Sequence, residues 1–289
     1  MPELPEVETV RRGLESSTRN FTVKQVQVFD QRSIRKNKEA LQGFLSELCG
    51  AKLNIFKRRG KFLWMPISNS RCLVAHLGMS GQILVRRQGE PEDRCERIRL
   101  IVEKGKSRLE VRFIDQRLFG GLHIDSLVES GSNQFVPETA SHIALDPLEE
   151  NFDLDGTASK LKTRNAGIKS LILNQEIVSG IGNIYADEIL WRTKTHYLSS
   201  GSELSTNKLR NLLKTAQVVL AEAVEHGGTS FDAQYKNVNG ESGSFSNSLN
   251  AYGQTGLPCK RCKTAIRRES WSNRGSHFCP KCQLPARPR

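Results

Sequence analysis

Four cysteines near the C-terminal end of the chain form two Cys-x2-Cys knuckles, Cys259 with Cys262 and Cys279 with Cys282, separated by sixteen residues. Each knuckle offers two thiolates to one ion, and the stretch between them is long enough for a hairpin that brings the pairs together. Tetrahedral zinc with four sulfur ligands follows from that spacing. A module this short cannot bury a sizeable core, so the one zinc ion has to be structural rather than catalytic. Redox or disulfide use is the competing reading. The scattered Cys49, Cys72 and Cys95 suit reduced thiols in a cytosolic protein better than a disulfide framework.

At 289 residues the chain exceeds the usual single-domain size, and two domains with a small appendage are expected. The formal net charge of +12 points to a polyanionic partner. Between Ala251 and Arg289 nine basic residues face one acidic residue, so this tail alone holds eight of the twelve net positive charges. No long apolar stretch and no basic amphipathic helix of the membrane-surface type is present, which favours nucleic acid over membrane. The first residues lack a basic segment followed by an apolar run, so no signal peptide is expected.

Leu4, Val7, Val10 and Leu14 recur at helical spacing, and Leu41, Phe44, Leu45 and Leu48 mark a second short helix. Strands are expected over 21–29, 52–56, 61–67, 72–77 and 82–86. A hairpin sets Ile98, Leu100 and Val102 against Leu109, Val111 and Phe113 across a turn at Gly105. The first 130 residues therefore read as a β-sandwich or barrel with a leading helix. Residues 130–147, rich in Gly, Ser, Asn and Pro, read as a linker. Helical character follows, with a long helix between a Ser205/Thr206 cap and a Gly227-Gly228 stop. Residues 229–250 are polar and Gly/Ser-rich and read as a mobile loop.

The first six residues, Met-Pro-Glu-Leu-Pro-Glu, taken alone read as an ordinary exposed terminus with a processing signal, and they also allow a chemistry of their own. A small second residue permits removal of Met1, which leaves Pro2 as a free secondary amine. An α-amino group has a reference pKa of about 7.7–8, so a useful fraction is uncharged near neutrality. Such an amine can attack an electrophilic sugar carbon and form an iminium, with Glu3 and Glu6 placed to supply and accept protons. Further along, Ser179-Gly180-Ile181-Gly182-Asn183 puts two glycines ahead of a helix-like run; it reads equally as a plain helix start or as a turn that lets backbone N–H groups approach an anion. Met79 in His76–Gly81, and Arg117 and Phe119 in Asp115–Gly120, follow strands. Such side chains suit insertion into a duplex, although taken singly Met79 and Phe119 read as core residues. The run Lys57-Arg58-Arg59-Gly60-Lys61 reads by default as a solvated turn.

Taken together, PELPEVETVRRGL at 2–14, RRGK at 58–61, HLGMSG at 76–81, DQRLFG at 115–120, GIGNIYADE at 180–188 and the four-cysteine finger closely resemble the bacterial formamidopyrimidine-DNA glycosylases. The resemblance spans nearly the whole chain. It implies an α+β protein: an N-terminal β-sandwich with a leading helix over 1–130, a linker over 131–150, a helix–two-turns–helix domain with a lesion loop over 151–250, and a zinc finger over 251–289. DNA would lie in the cleft between. The implied activity is excision of 8-oxoguanine and formamidopyrimidines from duplex DNA through a Pro2 Schiff base, followed by strand cleavage by β,δ-elimination at the resulting abasic site. Implied catalytic residues are Pro2, Glu3, Lys61 and Arg274, with Glu6 in support. Met79, Arg117 and Phe119 would fill the gap left by the extruded base, Arg117 reading the opposite cytosine. Lys169, Asn183, Arg164 and the finger would hold phosphates. The expected protein is a cytoplasmic, nucleoid-associated bacterial monomer.

The chain departs from the family pattern at Leu118, where a basic residue is frequent, and at Ser244, which replaces an aromatic. Cys95 stands near the place of a DNA-contacting histidine, and Asn165 in that of a basic residue, with Arg164 as its substitute. These departures bear on lesion recognition more than on the chemistry. Three alternatives stand beside this reading: the same mechanism directed at oxidised pyrimidines, a non-catalytic DNA-binding protein, and a zinc-ribbon adaptor for other proteins.

Overall fold

The computed structural model describes residues 2–131, 134–229 and 237–285, and the chain divides into two compact units. The first comprises Met1–His142 and Gly227–Ser244. It opens with α1 (Leu4–Thr18), for which Glu3 is the N-cap in a reciprocal capping box with Glu6, and Pro5 occupies the first turn. Proline there forgoes a donor that the helix would have left unpaired anyway. Leu4, Val7, Val10 and Leu14 are buried along one face, as the spacing predicts.

Then come β1 (Phe21–Val28), α2 (Leu41–Leu48), β2 (Lys52–Leu53), β3 (Lys57–Arg59), β4 (Phe62–Pro66), β5 (Arg71–His76), β6 (Gly81–Arg87), β7 (Glu96–Lys104), β8 (Ser107–Asp115), β9 (Gly121–Ser130) and β10 (Gln134–Pro137). They form two five-stranded sheets, ordered β2-β1-β7-β8-β6 and β10-β9-β5-β4-β3. The predicted hairpin has the predicted register, with Ile98 opposite Phe113, Leu100 opposite Val111 and Val102 opposite Leu109. Gly105, at φ 58°, takes the first central place of a two-residue turn, where a positive φ matches the twist of the strands. Alternate residues of β7 face inward, and one core cluster joins Val23, Ile98, Val102 and Phe113 to Leu63, Met65, Leu73 and Ile124 of the other sheet. Each such side chain contributes roughly 1.5–3 kcal/mol by leaving water.

The second unit comprises Ile143–His226 and Phe245–Arg289. It holds α3 (Leu154–Lys162), α4 (Ile168–Leu173), α5 (Asn183–Arg192), α6 (Thr206–Glu225) and the two-stranded ribbon of β11 (Arg267–Trp271) and β12 (Arg274–Phe278). The Ser205 hydroxyl accepts the Lys208 N–H at 3.2 Å and starts α6. Leu209, Leu212, Leu213, Ala216, Leu220 and Ala223 are all buried on that helix.

Three expectations need correction. The stretch 131–150 is not a free linker: β10 pairs with β9, Ala140 is fully buried, and the Ala144 N–H donates to the Gln175 carbonyl at 2.9 Å. Nor does the whole segment after α6 stay with the helices. Of its described residues, 227–229 and 237–244 belong to the first unit and 245–250 to the second; Val238 accepts from the Val85 N–H at 2.9 Å and packs over Gly13. A single valine in a polar run gives no periodicity to read, and residues 230–236 of that loop lie outside the described residues. The finger, finally, is not a separate body, for 251–285 clusters with the helices.

Lys169 and Asp187 form a fully buried ion pair at 2.6 Å in the second unit. The other Asp187 oxygen accepts the His277 N–H at 2.8 Å. Removing one partner of such a pair strands a charge away from water, at a cost of about 3–5 kcal/mol. Asp187→Ala should therefore lower the unfolding free energy measured by urea titration by that order. Lys169→Met combined with Asp187→Asn should cost less than Asp187→Ala alone.

Candidate active site and nucleic-acid interface

Pro2 is buried at the foot of α1, and Pro2, Glu6, Leu77, Gln82, Gly227 and Asn237 line one small pocket. Glu6 ties this region together. One carboxylate oxygen accepts the Glu3 N–H at 2.9 Å, and the other accepts the N–H of Thr229 at 2.7 Å and its hydroxyl at 2.9 Å. Gly228, at φ 81°, makes this approach possible, since a Cβ there would lie 2.7 Å from a Glu6 oxygen. Glu3 is itself 3% exposed. Both carboxylates thus have fixed places beside the Pro2 backbone.

The basic run 57–61 is not a solvated turn. Arg58 donates to Glu8 at 3.0 Å and to the Gly60 carbonyl at 3.1 Å, and Arg59 is 3% exposed. Burial alone would raise the Glu8 carboxyl. The guanidinium groups of Arg11, Arg58 and Arg12 outweigh it and hold the pKa at about 2. An anion pinned in this way fastens β3 to α1 and fixes the turn that carries Lys61. Lys61 in turn contributes to a cationic corner. The His76 imidazole is pushed down to about 4, first by burial and then by Lys36, His123, Arg35 and Lys61 around it. Sequence reading singled out Lys61 but missed Lys36 and His76, because only the sheet brings loop 31–40 beside β5.

Met79 and Phe119, singly read as core, are 41% and 53% exposed, and Arg117 is exposed as well. Their loops are stapled by Asp115, which has no exposed surface. It accepts from the Ser80 hydroxyl at 2.5 Å, the Arg117 N–H at 3.1 Å and the Gly120 N–H at 2.7 Å. Gly78, at φ 60°, lets the loops touch, since a Cβ there would meet the Gly120 nitrogen at 2.5 Å. The result is a polar, tightly bonded base with apolar and cationic tips in solvent.

The remaining predicted residues lie in the second unit. Asn183 begins α5, and its side-chain amide donates to the Gly275 carbonyl at 3.1 Å. Lys169, expected at a phosphate, is instead fully buried; besides Asp187 it donates to the same Gly275 carbonyl at 3.1 Å and to the Ser276 hydroxyl at 2.8 Å. Its ammonium holds the hairpin, because Asp187, one helical turn beyond Asn183, supplies the counter-charge. The hairpin turns at Ser272 and Asn273, both with positive φ, and presents Arg274 exposed at its end. Arg164 is exposed just beyond α3.

The sulfurs of Cys259, Cys262, Cys279 and Cys282 lie within 4.8 Å of one another. A tetrahedron of Zn–S bonds of about 2.3 Å places its sulfurs ~3.8 Å apart, so the set fits zinc. The surroundings favour the thiolate at Cys259 and Cys262, while burial pushes the Cys279 and Cys282 thiols up. Burial would raise the Cys259 thiol, but N–H groups of Cys262 and Arg261 and the Trp191 indole lower it. The indole N–H is otherwise buried without a partner. Arg261 donates to the Trp191 carbonyl at 2.6 Å and stacks 3.9 Å above that indole, docking the finger on the end of α5.

Comparison with known proteins agrees with this layout. The formamidopyrimidine-DNA glycosylase N-terminal domain matches residues 1–122, the corresponding H2TH domain matches 143–234, and a zinc finger found in FPG and IleRS matches 256–284. The chain is 47% identical to the formamidopyrimidine-DNA glycosylase of a Nocardioides species, over 100% of this chain and 96% of that one. It is 49% identical to the same enzyme of Leifsonia xyli, over 98% and 99%. A crystal structure of a Lactococcus lactis FPG mutant with a Fapy-dG containing DNA superposes with a TM-score of 0.84 at 29% identity, covering 98% of this chain and 100% of that one. A structure of MutM with carbocyclic 8-oxo-G containing DNA gives 0.83 at 29% identity, covering 98% and 100%. The chain belongs to the formamidopyrimidine-DNA glycosylase family.

Proposed function

We propose that this protein is a base-excision repair enzyme that removes 8-oxoguanine and formamidopyrimidines from duplex DNA and then cleaves the strand at the abasic site. The observation that carries the reading is Pro2 buried against Glu3 and Glu6, in a chain whose family match runs from end to end. After loss of Met1 the Pro2 nitrogen attacks C1′ of the damaged nucleotide. The glycosidic bond breaks and the base leaves with a proton; Glu3 then protonates O4′ as the C1′–O4′ bond opens, and an iminium remains. That cation acidifies the C2′ hydrogen. Its removal breaks the C3′–O bond (β-elimination), and a second elimination breaks the C5′–O bond (δ-elimination). Lys61 and Arg274 serve as proton donors to the departing phosphates, and water finally releases the sugar from Pro2. Glu6 keeps Glu3 and the 227–229 segment in register during these steps.

The base must leave the stack, at a cost of a few kcal/mol. Met79, Arg117 and Phe119 fill the space, with Arg117 pairing to the opposite cytosine. Arg164, Asn183 and the basic finger take phosphates, and the enzyme acts as a monomer on the bacterial chromosome in the cytoplasm. Among the described residues no helix is long and apolar enough to cross a membrane.

Borohydride added during incubation of Met1-processed protein with an 8-oxoguanine:C duplex should trap a covalent adduct; processed protein that nicks without any adduct would refute the Pro2 assignment. Glu3→Gln should slow base release by about a hundredfold while nicking of a preformed abasic site falls much less, as single-turnover rates would reveal.

The cationic corner gives a pH dependence. In the free protein His76 is neutral above about pH 4. A phosphate seated beside His76, Lys36 and Lys61 raises that pKa, so binding takes up a proton. Duplex affinity should then strengthen by roughly threefold to tenfold as pH falls from 7 to 5.5. His76→Gln should flatten that rise, as fluorescence anisotropy titrations at fixed salt would measure.

A further inference from the structure

We propose that Arg35 is a positioning residue for Phe119, setting the loop tip by donating to the two carbonyls that flank the left-handed turn at Leu118. This inference rests on the reading of Phe119 as the residue that fills the space left by an extruded base. The Arg35 guanidinium donates to the Leu118 carbonyl at 2.7 Å and to the Phe119 carbonyl at 3.1 Å. It reaches across more than eighty residues of sequence to do so. Leu118 has φ 56°, a conformation L side chains avoid because Cβ crowds the neighbouring carbonyl. Something other than the local sequence has to hold it there.

The anchor of Arg35 is itself fixed. Its guanidinium also donates to the Arg32 carbonyl at 3.1 Å, closing the short turn Gln31–Ile34, which is capped by the Asp30 carboxylate. That turn packs under the start of β9, where a Cβ on Gly121 would meet the Ser33 carbonyl at 2.4 Å. Asp115 grips the inner side of the loop through the N–H groups of Arg117 and Gly120. Arg35 grips the outer side through the carbonyls of Leu118 and Phe119. Main-chain donors and acceptors of the four residues 117–120 are thus held by two separate side chains, and the phenyl ring, 53% exposed, is the part left free to act. The side chain that the family pattern often makes basic is a leucine here, and Arg35 brings a guanidinium to that residue's main chain from another element.

The test is a double-mutant cycle between Arg35→Ala and Phe119→Ala, read as single-turnover excision of 8-oxoguanine opposite cytosine. Arg35→Ala should slow excision by about tenfold, the effect of losing charge-assisted bonds to two carbonyls, with Arg35→Lys recovering part of the loss. On the Phe119→Ala background the same change should cost less than about twofold, because the two act as one unit. The salt dependence of binding to undamaged duplex should keep its slope. A slope reduced by about one would make Arg35 a direct phosphate contact and overturn the proposal, as would equal effects on both backgrounds. If Phe119→Ala is impaired and Arg35→Ala is not, positioning fails and the space-filling reading survives. If Phe119→Ala excises normally, both fall.

Discussion

A chain terminus is ordinarily the least ordered part of a protein, and here the carboxylate of Glu6 is what fastens it. Its two oxygens take the Glu3 N–H on one side and Thr229 on the other. Residues more than two hundred positions apart are thereby held around Pro2. Under the proposed mechanism Pro2 is the nucleophile, and its approach to the reacting carbon has to be fixed beforehand, since misplacement by an ångström can cost orders of magnitude. The capping box of α1 does this with the donors every helix start leaves unpaired.

The same device recurs. Asp115 gathers Ser80, Arg117 and Gly120, Asp187 gathers Lys169 and His277, and Glu188 accepts the consecutive N–H groups of Asn250, Ala251 and Tyr252. Withdrawing a carboxylate from water costs several kcal/mol, which two or more charge-assisted bonds offset. What distinguishes such a joint from an apolar contact is direction. A leucine tolerates sliding, whereas a carboxylate with three donors permits one arrangement. These joints lie where loops have to be exact in shape, around the Pro2 pocket, under the exposed tips and beneath the finger.

Which parts of this were legible in the sequence follows from range. The helices of 4–18 and 206–225, the register of β7 on β8, and the four-sulfur cluster all rest on contacts or spacings within a few tens of residues, so periodicity and turn chemistry reveal them. Pro2, Glu3, Arg117, Phe119 and Arg274 could be singled out as candidates because they sit in contiguous motifs. Hidden were the features that need distant partners. Lys169 looks like any helical lysine until Asp187 is placed against it. Arg58 and Arg59 look solvated until Glu8 and the sheet cover them. His76 and Lys36 gain meaning only as neighbours. Val238, alone in a polar segment, gives no sign that it seals α1.

Exposed apolar tips explain why the stapling is so dense. Met79 and Phe119 each forgo much of the roughly 1.5–3 kcal/mol that burial would bring. On a slack loop either side chain would fold back onto the protein and recover it. Holding the main chain on both sides, by Asp115 through its N–H groups and by Arg35 through its carbonyls, denies the loop that collapse. The withheld burial is then available when the ring meets an apolar surface such as the face of a base. Strain at Leu118, buried carboxylates and half-exposed hydrophobic tips would each count as a defect in isolation. Under the proposed function, together they keep the exposed parts of Met79 and Phe119 at the surface that meets DNA.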